Sequence, residues 1–221
     1  MKLTKIAIAL VAVLAMSAVV ASGASAEFQL ESNQENVQLV AEDNGAHVFT
    51  VDGQNVTCKK AEFESGIIKT PANTISGVNA KYSNCTAFGF AGATVNMGNC
   101  HYDFTTPEQI NSHEYTSKAM ILCTGANNIN VNSSVFGSEC SVSIGQNTKN
   151  ENLSHVIIHN TTNTPKDLTL TITINEIQVT KNKDNGLCPL SGTGTVNNGS
   201  YNNTEAGTTV RDKGGADIFI G

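Results

Sequence analysis

Eight consecutive residues, Leu168-Thr169-Leu170-Thr171-Ile172-Thr173-Ile174-Asn175, alternate aliphatic and polar side chains without a break. Successive side chains on a strand point to opposite faces, so the run places Leu168, Leu170, Ile172 and Ile174 on one face and polar groups on the other. A helix would scatter the same residues around its circumference. Ile177 and Val179 resume the pattern one position out of phase, which predicts a β-bulge at Asn175-Glu176.

Shorter versions of the pattern fill most of the chain. His47–Val51 and Asn55–Cys58 flank Asp52-Gly53, a pair that readily adopts the positive φ angles of a tight hairpin turn. Ala93–Met97 and His101–Phe104 flank Gly98-Asn99-Cys100, which predicts a second hairpin. Thr208–Val210 and Ala216–Ile220 flank Lys213-Gly214-Gly215, which predicts a last one. Tyr115–Cys123, Cys140–Ile144 and Leu153–His159 read as further strands, Ala61–Ile68 as a strand interrupted at Gly66, and Thr74–Tyr82 as a weakly alternating one. Phe88 and Phe90, on either side of Gly89, read as core. The one helical signal is a single turn at Thr106-Pro107-Glu108-Gln109-Ile110, with threonine as cap and proline in the first helical position. Short strands roughly 8–12 residues apart, joined by Gly and Asn turns, predict an all-β fold. The expected form is a disulfide-bonded antiparallel β-sandwich, with barrel-like closure as the alternative.

Residues 1–26 have the form of a secretory signal peptide. Lys2 and Lys5 precede an apolar run from Ile6 to Val20, and Ala24-Ser25-Ala26 fits the small-x-small cleavage rule, making Glu27 the first mature residue. The run is shorter than the ~20 residues needed to span a bilayer. Residues 27–221 are then expected to form a single secreted β domain, or two tightly packed half-sandwiches, with no membrane association after cleavage. Residues 27–45 are polar and acidic, suited to a first strand or a loose arm. Six cysteines, Cys58, Cys85, Cys100, Cys123, Cys140 and Cys188, all follow the leader. An even number in an oxidising compartment predicts three disulfides. Sequence does not select the pairing; Cys85 with Cys100, Cys123 with Cys140, and Cys58 with Cys188 would close two short loops and join early strands to late ones. No Cys-x-x-Cys occurs, which disfavours a metal or redox centre.

The whole chain carries 13 Lys and Arg against 19 Asp and Glu; loss of Lys2 and Lys5 leaves 11 against 19, or −8. With one arginine, Arg211, and no basic cluster, the chain is a poor partner for nucleic acid or an anionic membrane.

Candidate catalytic groups are sparse. His155 and His159 share a strand face but stand about 13 Å apart by strand rise, too far to share a metal. His101, Asp103 and His113 could assemble a site, although exposed strand faces explain them with less assumption. Glu176, beside the expected bulge, is the one carboxylate that stands out. No Gly-x-Ser-x-Gly or His-Glu-x-x-His is present. Lys181–Gly186 resembles a calcium loop without its bidentate terminal glutamate, and Gly192-Thr193-Gly194 lacks the following helix of a phosphate loop. Metal ions and cofactors are therefore not expected. Asn-x-Ser/Thr triplets at Asn55, Asn84, Asn132, Asn152, Asn160, Asn198 and Asn202 reflect an Asn- and Thr-rich chain, and the short Ala/Val-rich leader has a bacterial form, so no glycans are expected on them. A neutral hydrogen-bonding surface of this kind suits glycans or another protein. With no Trp, Tyr82, Tyr102, Tyr115 and Tyr201 are the candidates for stacking on sugar.

The segment Cys85-Thr86-Ala87-Phe88-Gly89, followed by Val95 to Cys100, by Leu187-Cys188-Pro189-Leu190 and by a small-residue C-terminal strand, resembles a group of uncharacterised secreted proteins from actinobacteria. The resemblance implies secretion and a disulfide-bonded β domain, and no activity, substrate or catalytic residue. The expected function is non-enzymatic, a binding or structural role at or outside the cell surface, with a glycan or a surface protein as partner. The alternatives are a hydrolase or lyase acting on extracellular polymer, which requires a cleft holding paired titratable groups, and adhesion by strand addition at an open sheet edge.

Overall fold

A computed structural model describes residues 28–43, 45–125, 127–145, 154–183, 187–203 and 207–221. The leader, the start of the strand expected from Leu153 and the triplet at Asn152 lie outside these residues. The described residues form fifteen strands: β1 (Leu30–Ser32), β2 (Asn36–Asp43), β3 (His47–Val51), β4 (Gln54–Lys69), β5 (Thr74–Ala87), β6 (Ala91–Asn96), β7 (Cys100–Asn111), β8 (Glu114–Cys123), β9 (Ile129–Val135), β10 (Ser138–Ile144), β11 (Ser154–Asn160), β12 (Leu168–Lys183), β13 (Gly194–Asn202), β14 (Thr208–Asp212) and β15 (Ile218–Ile220). All the ladders are antiparallel and no helix occurs among the described residues. No helix there is long and apolar enough to cross a membrane.

Three long strands, β4, β5 and β12, organise the fold by pairing with different neighbours along their two halves. At one end the ladders run β3–β4–β5–β6–β9–β10–β12–β13 and return to β3. At the other end they run β2–β4–β5–β7–β8–β11–β12–β14 and return to β2. Closure is partial. The ladder between β10 and β12 covers four residue pairs and that between β12 and β14 three, and among the described residues none pairs with β12 between Ile172 and Thr180 on the side that β11 and β10 share. The result is an incompletely closed pair of circuits around one continuous apolar core. Every strand from β2 to β14 has neighbours on both sides among the described residues, so the long ladders present little free edge for strand addition.

The alternation of β12 is realised as read: Leu168, Ile172 and Ile174 are buried. The phase change is a bulge with Glu176 at φ 59°, after which Ile177 and Val179 point inward again. Asp52-Gly53 forms the expected hairpin turn, with φ angles of 53° and 72°.

Three local expectations fail. Thr106–Ile110 is not helical but lies within β7, where the pairing with β8 slips between Thr105 and Glu108. A five-residue turn cannot outweigh a ladder already running through both of its ends. Gly98-Asn99-Cys100 is not a hairpin either. β6 and β7 run in the same direction along β5, one beside Cys85–Ala87 and the other beside Thr74–Val78, and the turn closed by Cys100 N–H to Met97 O (2.9 Å) is a jog between them. At the jog the path leaves β9 as its other neighbour and takes β8 instead. The C-terminal segments do not pair with each other: β14 lies between β12 and β2, while β15 pairs with β1. The interruption expected at Gly66 takes the form of a bulge: β4 stays one strand, but its pairing with β2 slips between Glu64 and Ile67.

The three disulfides are Cys58–Cys85, Cys100–Cys123 and Cys140–Cys188, a different pairing from the one expected. The reason is register. Cys58 faces Cys85 across β4 and β5, and Cys100 faces Cys123 across β7 and β8, so strand pairing brings these sulfurs together. Cys140–Cys188 ties the Leu187–Ser191 segment to β10, where the buried Leu190 covers the end of the first circuit. At the opposite end β1 and β15 lie over the β4–β5 and β11–β12 connections, through Leu30 to Ala72 and Asn160 to Ile220 hydrogen bonds, burying Leu30, Ile218 and Ile220.

Candidate functional site

A network of titratable groups lies inside the fold. β3 directs His47 inward to 0% exposure, among the rings of Phe63, Tyr82 and Tyr201. Its Nδ1 lies 2.8 Å from the Tyr201 hydroxyl and its Nε2 3.3 Å from Asp43 Oδ2. The same Asp43 oxygen accepts a hydrogen bond from Thr208 Oγ1 at 2.7 Å, and Thr208 in turn accepts one from Asn203 Nδ2 at 3.0 Å. Tyr82 and Tyr102 hydroxyls stand 3.2 Å apart. Burial lowers the His47 imidazole below the ordinary histidine value, with Asp43 opposing, and burial raises the phenols of Tyr82, Tyr102 and Tyr201. The neutral forms are thereby favoured. The void beside the tyrosines has a volume of only about 40 Å³, so the cluster fixes β2, β3, β13 and β14 to one another and holds no room for a substrate.

The residues singled out by sequence do not converge. His101 and Asp103 share a face of β7, 3.6 Å apart, and Asp103 Oδ1 accepts the Gly77 N–H at 2.8 Å. His113 lies in the turn at the far end of β7, exposed, with its Nδ1 2.9 Å from Ser112 Oγ. His159 stands opposite Glu114 across β11 and β8. His155 occupies β11. Glu176 is an exposed bulge residue. No group of three or more His, Cys, Asp or Glu able to hold a metal occurs among the described residues. In the stretch resembling a calcium loop, Lys181 is buried against Asp52, and residues 184–186 lie outside the description. Gly192-Thr193-Gly194 leads into β13. Tyr82, Tyr115 and Tyr201 are buried and Tyr102 packs against the core, so none of the four tyrosines offers a ring to solvent.

The outer face of β5, β6, β9 and β10 is different in character. Register aligns Thr94 with Asn132 and Ser141, and Asn96 with Asn130 and Ser143, forming two transverse rows of small neutral hydrogen-bonding side chains. Ser143 Oγ donates to Asn130 Oδ1 at 2.8 Å, Asn130 Nδ2 donates to Asn128 O at 3.1 Å, and Asn96 Oδ1 accepts the Gly98 N–H at 2.8 Å, while Thr94 and Asn132 are exposed. Gly92 interrupts the cover: a Cβ there would meet no atom within 4 Å. The result is an open groove of about 540 Å³ lined by Asn84, Gly92, Thr94, Asn132, Ser134 and Glu139 among others, with no basic residue in its lining. At the ends of these strands the β5–β6 and β9–β10 turns carry Phe90 and Phe136, each two residues along the chain from the exposed Gly92 and Ser134. Phe90 is 63% and Phe136 84% exposed, and their ring centroids lie 6.3 Å apart. Phe90 is therefore surface, not core; Phe88 alone of the pair packs inward.

No protein family, curated protein or solved structure matches this chain.

Proposed function

We propose that the chain is exported, loses its leader after Ala26, and works outside the cell as a disulfide-stapled, non-enzymatic binding domain whose ligand lies in the β5–β6–β9–β10 groove. The groove carries the reading. It is an open concavity of about 540 Å³ whose Asn, Ser and Thr side chains offer both hydrogen-bond roles without charge. Such a lining suits an uncharged, hydroxyl-rich ligand, and its lack of Lys and Arg gives no counterion-release drive toward phosphate polymers. Three disulfides and the apolar leader sequence support an oxidising destination.

The test uses Gly92, where a side chain enters open space without backbone strain. Gly92→Trp fills the groove and should abolish retention of the secreted protein by its own cells' envelope fraction, while secretion and melting temperature stay at wild-type values. Equal retention of the two proteins would remove the groove from the account.

A further inference from the structure

Phe136 stands in a two-residue hairpin turn between β9 and β10, at φ 48°, followed by Gly137 at 83°. The β3–β4 turn has the same backbone, 53° and 72°, and fills it with Asp-Gly, as that geometry favours. A phenylalanine at positive φ is strained, because its Cβ crowds the backbone. It also gains nothing from burial, being 84% exposed. Phe90, on the adjoining turn, is 63% exposed and turns its ring to within 6.3 Å of Phe136 at an interplanar angle of 34°. Neither folding nor solubility accounts for this pair, and backbone strain held at a surface aromatic marks a functional position.

Resting on the groove reading above, we infer that Phe90 and Phe136 form the stacking platform of a carbohydrate site, receiving the C–H face of an uncharged pyranose at the end of the groove while the next residues of the oligosaccharide hydrogen-bond to Thr94, Asn132 and Ser134. The two exposed rings stand at the turns that end the hydroxyl-matching rows, two residues beyond Gly92 on one strand and beyond Ser134 on the next. Gly92, between ring and row, leaves the floor flat enough for a sugar plane to slide past. A lipid surface is the less suited occupant, because the face behind the rings is polar and the chain is acidic.

The experiment titrates the mature protein with hexasaccharides of β-1,3-glucose, β-1,4-glucose, β-1,4-N-acetylglucosamine and α-1,6-mannose, and separately with phosphatidylcholine vesicles, by calorimetry and sedimentation. At least one hexasaccharide should bind. Phe90→Ala and Phe136→Ala should each weaken it by about tenfold, the double variant should bring it below detection, and Gly92→Trp should do the same. If a hexasaccharide binds, Gly92→Trp blocks it and the double phenylalanine variant binds as wild type, the stacking platform is wrong and the groove reading stands. If vesicles alone bind, and the double variant loses them, the rings serve a lipid surface and the carbohydrate site is overturned. Binding to neither overturns it as well, and envelope retention of Gly92→Trp then decides separately whether the groove is used.

Discussion

Lys181 Nζ lies 2.6 Å from Asp52 Oδ2, joining the β3–β4 turn to the far end of β12, with the two side chains only 3% and 8% exposed. The partnership is unequal. Asp52 also accepts the Ser191 N–H (3.0 Å), the Ser191 hydroxyl (2.8 Å) and the Asn198 amide (2.7 Å), whereas the other partners of Lys181 are the Ser191 carbonyl and hydroxyl. Lys181, with Asn198 and Ser191, holds the Asp52 carboxyl well below the usual carboxylate range. Asn tolerates the left-handed backbone of position 52 as well as Asp does, so Asp52→Asn removes the charge and little else. It strands a buried ammonium and should cost about 3 kcal/mol in urea denaturation, while Lys181→Met, which leaves Asp52 its other donors, should cost clearly less. Equal losses would show that the pair, not the unpaired cation, sets the penalty.

His47 makes stability depend on pH near neutrality. Its folded value lies below its unfolded value, so on acidification the unfolded chain takes up the proton first. The stabilisation is complete above the unfolded histidine value of about 6.5 and declines as pH falls below it toward the folded value. Melting temperature should therefore drop between pH 7.5 and pH 5.5 in the wild type and drop less in His47→Gln. Parallel curves for the two proteins would assign the acid sensitivity elsewhere.

Phe136 sets stability against binding. Phe136→Asn places a residue suited to positive φ in the turn and removes an exposed ring. It should stabilise the fold by about 0.5–1 kcal/mol, raising the melting temperature by about 1–4 °C, while losing the oligosaccharide. A destabilised Phe136→Asn would mean that the ring packs against something in the folded chain.

The disulfides give a chemical check on strand register. Digestion without reduction should yield the linked peptides Cys58–Cys85, Cys100–Cys123 and Cys140–Cys188, with no cysteine alkylated. Loops of 27, 23 and 48 residues lead each bridge to contribute about 3–4 kcal/mol through the unfolded chain. Replacing Cys140 and Cys188 by serine should cost about that much and should raise protease cleavage within Leu187–Ser191 selectively. A linked Cys85–Cys100 peptide would overturn the β4–β5 register.

Strand propensity, the Asp52-Gly53 turn and the Asn175-Glu176 bulge are legible in the amino-acid sequence because each depends on neighbours one to four residues away. A side chain's direction relative to the next is local, and so is a turn's tolerance of positive φ. Which strand lies beside which is not local, and everything built on that was open until the chain folded. Gly98-Asn99-Cys100 has hairpin composition, yet β5 already offered one continuous edge to both flanking strands, and the turn became a jog. The cysteine pairing followed from register across β4–β5 and β7–β8, which no spacing along the chain encodes. The same holds for the aromatics. Four tyrosines look suited to a surface and are consumed by the interior, where a buried His47 gives Tyr201 its partner. Phe90, read as core, instead sits exposed beside the β5–β6 turn, because β6 commits Ala91 and Val95 to the core, and it meets Phe136 of the β9–β10 turn there. The sequence by itself determined an antiparallel β fold with three disulfides; tertiary structure decided which faces meet, and hence where a ligand can be held.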